Sequence, residues 1–265
     1  MQEIDRIATA ATDADGAAPL DEATLLTLRN HPDRVRSWVR EDGFALLAGD
    51  ELSLVVHPDA RGRGLGRELL ESALPASGPV RAWSHGDHPA AAALARSHDF
   101  ERFRELWVMR RDMTAPLPPY DESRVRGYRP SDADELIRVN AAAFAHHPEQ
   151  AGMDAANLAE RMAEPWFDPA GLLVAPDGDR LLGFHWTKQH SPELGEVYVV
   201  GIDPAAQGDG LGKLLTLAGL HHLRDRGVAE VHLYVESDNA PAIALYTKLG
   251  FHHAAADTHV MYRRG

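Results

Sequence analysis

Two glycine-rich loops are candidates for binding a phosphate group. Residues 207–212 read QGDGLG and residues 61–66 read RGRGLG, and each run follows an apolar segment. Glycines let a backbone approach a ligand closely, and the amides at a helix start can bind a phosphate. Neither loop has the spacing of a dinucleotide-binding fingerprint or of a Walker A loop. One such loop could be a structural turn only, but two in the same context favour a pyrophosphate site.

The two loops belong to an internal repeat that covers much of the chain. Pro58 and Pro204 precede the loops and are 146 residues apart, as are Gly64 and Gly210. Further along, Leu94 and Phe100 match Leu245 and Phe251 at the slightly larger offset of 151 residues, which indicates small loop insertions in the second copy. Two long copies predict two homologous domains rather than a solenoid, which would need several short repeats.

A proline-rich segment separates the two copies. Residues 113–124 include three prolines and show no hydrophobic periodicity, which is typical of an extended linker. We therefore predict an N-terminal domain over residues 1–112, a linker over residues 113–124 and a C-terminal domain over residues 125–265.

The second copy contains the elements that would position its loop. Residues 196–202 form an apolar, β-branched run before a turn, which predicts a strand leading into the loop. Apolar residues at helical spacing after the loop predict a helix that ends near Gly227. Residues 231–235 predict a further strand. Asn239 is a suitable N-cap for a last helix that ends at Gly250.

The loop pattern [Q/R]-x-x-G-x-G and the helix that begins at Asn239 resemble the GNAT superfamily of N-acetyltransferases. The segment that ends LYTKLGF, at Phe251, is similar to the region that closes the cofactor site in that superfamily. The resemblance implies an α+β fold, a mixed α/β sheet splayed around the cofactor, in two tandem GNAT-like acetyltransferase domains of which the first is abbreviated. It also implies acetyl-CoA as the acetyl donor and a primary amine as the acceptor.

Longer segments are similar to the mycothiol synthase family of actinobacteria, which are tandem-domain GNAT proteins. The match covers nearly the whole chain and includes residues 15–22, 144–150, 183–188, 195–199 and 233–239. It implies that the acetyl group moves onto the cysteinyl amine of a cysteine–glucosamine–inositol conjugate, desacetylmycothiol, to give mycothiol. The alternatives are a tandem GNAT enzyme that acts on another small-molecule amine or a protein N-terminus, and an acyl-CoA sensor without turnover.

By this resemblance, Glu196 is the candidate base and Tyr246 is the candidate proton donor to the leaving CoA thiolate. An α-amino group has a pKa of about 7.7–8.0, so roughly a tenth is neutral near pH 7 and a modest base suffices. Backbone amides of residues 199–202 are candidates for stabilising the developing oxyanion. Without a bulge, Glu196, Tyr198 and Val200 would share one face of their strand. A surface carboxylate and a core tyrosine are the structural alternatives.

The family positions also imply two sets of binding residues. The cofactor-binding residues of the second copy would be Val200, Gly201, Ile202, Gln207, Gly208, Asp209, Gly210, Leu211, Gly212, Lys213, Asn239, Ala240, Pro241, Ala242, Ile243 and Ala244. A cofactor site in the first copy would use Leu54, Val55, Val56, Gly62, Arg63, Gly64, Leu65, Gly66 and Arg67. The substrate-binding residues would be Glu22, Glu149, Lys188, Glu196 and Tyr234.

The first copy differs from the second where the chemistry is expected. Ala95 stands five residues before Phe100, whereas Tyr246 stands five residues before Phe251. Only residues 44–50 separate the helices predicted at the start of the first copy from its loop strand, which predicts that one hairpin is missing. We therefore predict that the second copy is the catalyst and that the first is non-catalytic, either a relic or a cofactor-binding scaffold.

Composition argues against several other kinds of protein. The 265 residues include no cysteine, which excludes disulfides, cysteine-ligated metal centres and a cysteine nucleophile. The formal net charge is −13 and no basic segment is visible, so no nucleic-acid partner is expected. The histidines lack metal-ligand spacing, so we expect no metal. With no long apolar run and no signal-peptide pattern, we expect a cytoplasmic monomer without a membrane partner.

Overall fold

The computed structural model describes residues 1–145 and 152–265. The chain divides into two compact units that are not contiguous in sequence. The first unit comprises Met1–Trp107, Glu236–Asp238 and Ala254–Gly265, and the second comprises Val108–Val235 and Asn239–His253. The domain limits and the linker given above describe the two copies of the repeat, not these compact units, and they stay a prediction.

The first unit is an antiparallel meander that is extended by a parallel strand. Its elements in chain order are α1 (Gln2–Asp15), α2 (Glu22–Asn30), β1 (Val35–Arg40), β2 (Gly43–Ala48), β3 (Glu51–Val56), α3 (Leu65–Ala73), β4 (Val80–Ser84) and α4 (Pro89–Ser97). Strands β1, β2 and β3 pair antiparallel, and β3 pairs with β4 in parallel. A long strand, β5 (Glu101–Asp112), follows and belongs to this unit as far as Trp107.

The hairpin predicted to be missing from the first copy is present, so that prediction was wrong. β1 pairs with β2 along its whole length, from Val35 opposite Ala48 to Arg40 opposite Gly43. β1 is an edge strand, and most of its side chains are at least partly exposed. Edge strands commonly carry charged residues, so β1 lacks the apolar run by which a buried strand is recognised in a sequence.

The second unit has a similar meander, with one antiparallel strand more than the first, followed by a parallel strand. Its elements are β6 (Arg126–Gly127), α5 (Ala133–Ala143), α6 (Ala155–Met162), β7 (Leu172–Asp177), β8 (Arg180–Gln189), β9 (Leu194–Ile202), α7 (Leu211–Asp225), β10 (Glu230–Glu236) and α8 (Ala240–Lys248). Strands β6 to β9 pair antiparallel in sequence order, and β9 pairs with β10 in parallel. The last strand, β11 (His252–Arg264), passes into the first unit, where it pairs antiparallel with β4.

Each unit has its own apolar core. In the first unit, Leu69, Val80 and Val260 lie in one buried cluster. In the second unit, Leu136 and Phe184 are fully buried in a cluster that joins α5 to the sheet. Burial of a side chain of this size contributes about 1.5–3 kcal/mol, so these clusters hold the strands that carry the candidate site. Within the part of the chain that the structure describes, we find no helix with the length and apolar character to cross a bilayer.

The predicted elements of the second copy are confirmed. The helix after the glycine loop ends at Asp225, and Gly227 follows in the left-handed region with φ of +82°. The side chain of Asn239 accepts a hydrogen bond from the backbone amide of Ala242 at 3.2 Å, as an N-cap should. These local signals were readable because capping and helix termination depend on neighbouring residues only.

Candidate active site

The glycine loop of the second unit joins β9 to α7. Gly208 and Gly210 have φ values of +99° and +72°, a region that residues with a Cβ atom rarely adopt. Gly210 is the N-cap of α7, and the first amides of a helix have no partner within the helix. Gln207 and Lys213 beside it are exposed. This arrangement suits an anionic group such as a pyrophosphate.

A network of charged groups anchors the start of this loop. Asp203 is buried and accepts a hydrogen bond from the backbone amide of Ala205 at 2.9 Å. Arg138 on α5 donates to Asp203 at 2.6 Å and also to Glu135 at 2.8 Å. The hydrogen bond from Arg138 is the main reason that the pKa of Asp203 lies below its usual value. The loop is therefore held in place by the second unit's own helix.

Strands β9 and β10 separate next to the glycine loop. Their parallel pairing runs from Leu194 opposite Glu230 to Val197 opposite Leu233. Both strands continue beyond that point, and β9 reaches Ile202 before the loop begins. The sheet is therefore splayed at the position where the GNAT resemblance implies a cofactor.

The first unit repeats this arrangement and has an open cavity of about 490 Å³. Its β3 and β4 pair in parallel at Glu51–Arg81 and Leu52–Ala82, and the cavity lies beyond this pairing. A volume of this order is typical of ligand sites. The cavity is lined by most of the residues predicted for a cofactor site in the first copy, namely Leu54, Val55, Val56, Gly62, Gly64, Leu65, Gly66 and Arg67. Arg63 is not part of the lining, whereas Ala95 is.

A β-bulge in β9 changes which side chains share a face. Lys188 on β8 lies opposite Glu196, but Trp186 lies opposite Val199, so β9 contains one extra residue between the two pairs. Since Lys188 and Trp186 share a face of β8, Glu196 and Val199 share the matching face of β9. Val200 points to the opposite face, which corrects the alternation predicted for an unbulged strand.

Glu196 is a buried carboxylate that lies between two imidazole rings. Its exposed fraction is 6 %, and its Oε2 atom is 2.6 Å from Nε2 of His190. The Nε2 atom of His232 is 3.7 Å from the same oxygen. His190 follows the end of β8, and His232 lies directly opposite Glu196 on β10. We refer to these three residues as the histidine–glutamate cluster.

The donor types of the histidine–glutamate cluster are those that bind transition metals. Their donor atoms all lie within 4.8 Å of one another. The two imidazole rings, however, stack with centroids 5.2 Å apart and planes inclined by 26°. A shared metal would have to lie in the plane of each ring, where the nitrogen lone pairs point. The arrangement therefore suits a hydrogen-bonded cluster better than a metal centre, and the expected absence of a metal stays a prediction.

Aromatic side chains surround the amine end of Lys188. Its Nζ atom lies 4.4 Å from the ring centroid of Trp166 and 5.2 Å from that of Tyr198. At these distances each ring attracts the ammonium group. Arg161 donates a hydrogen bond to the hydroxyl of Tyr198 at 2.9 Å, which fixes that ring. Lys188 and Glu196 lie opposite each other on one face of the sheet. The contacts of Lys188 and Tyr198 fix the positions of the side chains on that face.

Tyr234 lies on the same side of the second unit as the histidine–glutamate cluster. Its ring is 5.5 Å from that of His232 in an edge-to-face arrangement, and 44 % of the residue is exposed. Three of the residues predicted to bind the substrate, Lys188, Glu196 and Tyr234, are thus brought together. Glu22 is the first residue of α2 in the first unit. Glu149 lies outside the described residues.

Tyr246 lies on α8, and its ring packs against Phe251 with centroids 5.9 Å apart. Desolvation raises the pKa of Tyr246 to about 12, so the phenol keeps its proton at neutral pH. Every residue of α8 is at least partly exposed, including the apolar Ile243 and Leu245. The helix that begins at the predicted cofactor-binding residues 239–244 thus offers an open apolar face.

Two members of the cluster, His190 and His232, were not identified from the sequence. Both meet Glu196 through strand pairing, so neither has a local motif. The signal was nevertheless present for His190, because a hairpin turn between β8 and β9 places it six residues before Glu196 and near it in space. His232 lies beside Glu196 only because of the parallel register of β9 and β10, which the sequence alone does not reveal.

The fold and this site define a tandem acetyltransferase of the GNAT class. The model of the "Acetyltransferase (GNAT) family" matches residues 138–251, and that of an "Acetyltransferase (GNAT) domain" matches residues 33–102. The structure also resembles a GCN5-related N-acetyltransferase from Sphaerobacter thermophilus, with a TM-score of 0.69, 22 % identity and coverage of 99 % of this chain and 91 % of the other. A tandem GNAT protein from the clavulanic acid biosynthesis pathway has a TM-score of 0.69, 21 % identity and coverage of 99 % and 93 %.

Close sequence relatives narrow this class to one family. The chain is 66 % identical to a mycothiol acetyltransferase from Nocardioides sp., over 100 % of this chain and 97 % of the relative. It is 49 % identical to a mycothiol acetyltransferase from Salinispora tropica, over 100 % and 93 % of the two chains. The chain belongs to the mycothiol acetyltransferase family. The predicted fold class, the predicted acetyltransferase activity and the resemblance on which they rested are confirmed.

Proposed function

We propose that this chain moves the acetyl group of acetyl-CoA onto the cysteinyl amine of a cysteine–glucosamine–inositol conjugate, which gives mycothiol. The observation that carries this proposal is the 66 % identity, over the full length, to a relative named mycothiol acetyltransferase. The geometry of the second unit supports it, because a buried carboxylate, a glycine loop and a splayed sheet occur together there. Acetyl-CoA supplies the activated thioester.

Glu196 acts as the base in this proposal. Its carboxylate accepts a proton from the substrate ammonium, and the nitrogen lone pair that is freed attacks the acetyl carbon. The imidazole rings of His190 and His232 lie beside Glu196, and the burial of this carboxylate limits access of water to it. Lys188 and Tyr234 would contact the hydroxyl groups of the substrate. Glu22, in the first unit, is also proposed to bind the substrate.

Backbone amides of residues 199–202 would donate hydrogen bonds to the acetyl oxygen as negative charge develops there. The bulge next to Val199 locally disrupts the strand pairing, which frees backbone groups for such a role. Tyr246 would then donate a hydrogen bond from its hydroxyl to the departing sulfur, and the thiolate would take up the proton that the newly acylated nitrogen loses. A thiol of the cysteine type has a pKa of about 8.5, so a phenol with a pKa of about 12 favours strong hydrogen bonding to the thiolate over full proton loss.

Cofactor binding in the second unit would use the loop residues 207–213, the strand residues 200–202 and the helix residues 239–244. The first unit is proposed as a non-catalytic, cofactor-binding scaffold, because its cavity lies at the matching glycine loop and Ala95 stands where the second copy has Tyr246. Ala95 has no hydroxyl group that could take the part proposed for Tyr246.

Substrate choice is tested by acetyl-CoA consumption with three amines. We expect turnover with the cysteinyl conjugate and none above background with glucosamine–inositol, which lacks the cysteinyl amine, or with a generic peptide amine. Mass analysis of the product should show one acetyl group on the cysteinyl nitrogen. Turnover of the peptide at a comparable rate would favour the protein N-terminus alternative, and acetyl-CoA binding without any turnover would favour a sensor.

A further inference from the structure

His190 forms the shortest contact with the Glu196 carboxylate among the residues that the structure describes. The exposed fraction of the His190 side chain is 34 %, against 8 % for that of Glu196, and Nε2 lies 2.6 Å from Oε2. When Glu196 is ionised its carboxylate can only accept hydrogen bonds, and His190 then carries its hydrogen on Nε2. A distance this short is typical of a hydrogen bond to a charged group.

Within the described ranges, residues 1–145 and 152–265, the other groups around Glu196 do not duplicate this hydrogen bond. On β10, His232 is 3.7 Å from the same oxygen, which is beyond hydrogen-bond range. Burial lowers the pKa of His232 despite the opposing effect of Glu196, so that ring is neutral at pH 7. Arg110 and Glu230 also face His232, with opposite effects on it. On β8, Lys188 directs Nζ over two aromatic rings.

The backbone fixes the position of His190. Its amide donates a hydrogen bond to the carbonyl of Leu194 at 2.9 Å across the turn that joins β8 to β9. Its ring stacks on that of His232, with centroids 5.2 Å apart. Backbone and ring contacts therefore aim Nε2 at Oε2, which leaves Oε1 as the oxygen that can accept a proton.

We propose that His190 is a positioning residue for Glu196, which by its Nε2 hydrogen bond keeps the carboxylate ionised and selects Oε1 as the proton-accepting oxygen. The proposal rests on the role of Glu196 proposed above. A hydrogen bond to the charged form of an acid stabilises that form and lowers its pKa. Without the bond, Glu196 would hold a proton up to a higher pH and would be an active base over a narrower range.

The test compares His190→Leu, which removes the donor, with His190→Gln, whose amide nitrogen can replace Nε2. We expect His190→Leu to lower kcat/KM for the amine by at least about tenfold and to move the acidic limb of its pH profile upward by about one unit. His190→Gln should restore most of the rate and return the limb toward the wild-type position. The matched control His252→Leu, at an exposed histidine at the start of β11, should change neither quantity.

A second readout separates this proposal from the proposed function. The titration of the Glu196 carboxyl carbon, followed by NMR in protein labelled at glutamate, needs no substrate. Its midpoint should rise in His190→Leu and stay near the wild-type value in His190→Gln. An unmoved midpoint in His190→Leu overturns the positioning role, and so does an equal loss of rate in both variants with an unmoved acidic limb. Failure of the wild type to acetylate the conjugate, with the midpoint shift present, overturns the substrate assignment instead.

Discussion

Replacement of Tyr246 by phenylalanine is expected to lower kcat for acetyl transfer about a hundredfold and to leave the Kd for acetyl-CoA within about twofold. A positioned acid or hydrogen-bond donor typically contributes 10²–10⁴-fold to a rate. Phenylalanine keeps the ring that packs 5.9 Å from Phe251, so only the hydroxyl is lost. Because the pKa of Tyr246 is raised to about 12, the wild-type effect should persist unchanged across neutral pH.

The measurement is steady-state turnover together with equilibrium binding of acetyl-CoA. Tyr128→Phe is a matched control, because Tyr128 packs against the core of the second unit and has no proposed role in the reaction. A wild-type rate in Tyr246→Phe would remove Tyr246 from the mechanism. Loss of acetyl-CoA binding in that variant would assign the hydroxyl to binding rather than to the departure of the thiolate.

Replacement of Glu196 by glutamine is expected to lower kcat/KM for the amine by about tenfold at pH 7 and by about a hundredfold at pH 6. Glutamine has the same shape but cannot accept the proton, so the variant depends on amine that is already neutral. The amine has a pKa of about 7.7–8.0, so its neutral fraction rises steeply up to that pH and then levels off. The deficit should therefore be largest at low pH and should shrink above pH 8.

The pH profile of kcat/KM checks this expectation from pH 5.5 to pH 9.5. Glu193→Gln is the matched control, because Glu193 is an exposed glutamate in the same turn between β8 and β9. A deficit that is the same at every pH would show that Glu196 binds the substrate without removing its proton. A profile identical to that of the wild type would exclude Glu196 from the reaction.

Local signals in the sequence were sufficient to predict most elements of the second unit. The N-cap at Asn239, the helix end before Gly227 and the strand that leads into the glycine loop were all readable from neighbouring residues. The bulge in β9 was not, because it depends on how Trp186 and Val199 pair across two strands. The same is true of the division into units, since the chain's last strand joins the core of the first unit through Val260.

The candidate site likewise combines residues that local sequence patterns indicated with residues that only the assembled sheet brings together. Glu196 and Tyr246 were found because each lies in a segment that resembles a known family. His190 and His232 were passed over because their spacing in the sequence matches no metal or catalytic motif. Only the β8–β9 turn and the β9–β10 register bring both rings to Glu196, and register is a property of the assembled sheet.

The most direct test of the account is the rate of a single acetyl transfer to the cysteinyl conjugate in the double variant Glu196→Gln, Tyr246→Phe. We expect acetyl-CoA to bind with a Kd within about threefold of the wild-type value, while the transfer rate near pH 7 falls at least about a thousandfold. That result would place the chemistry in the second unit and leave the first without turnover of its own. A transfer rate within about tenfold of the wild type would contradict the account, because neither residue could then be the base or the donor.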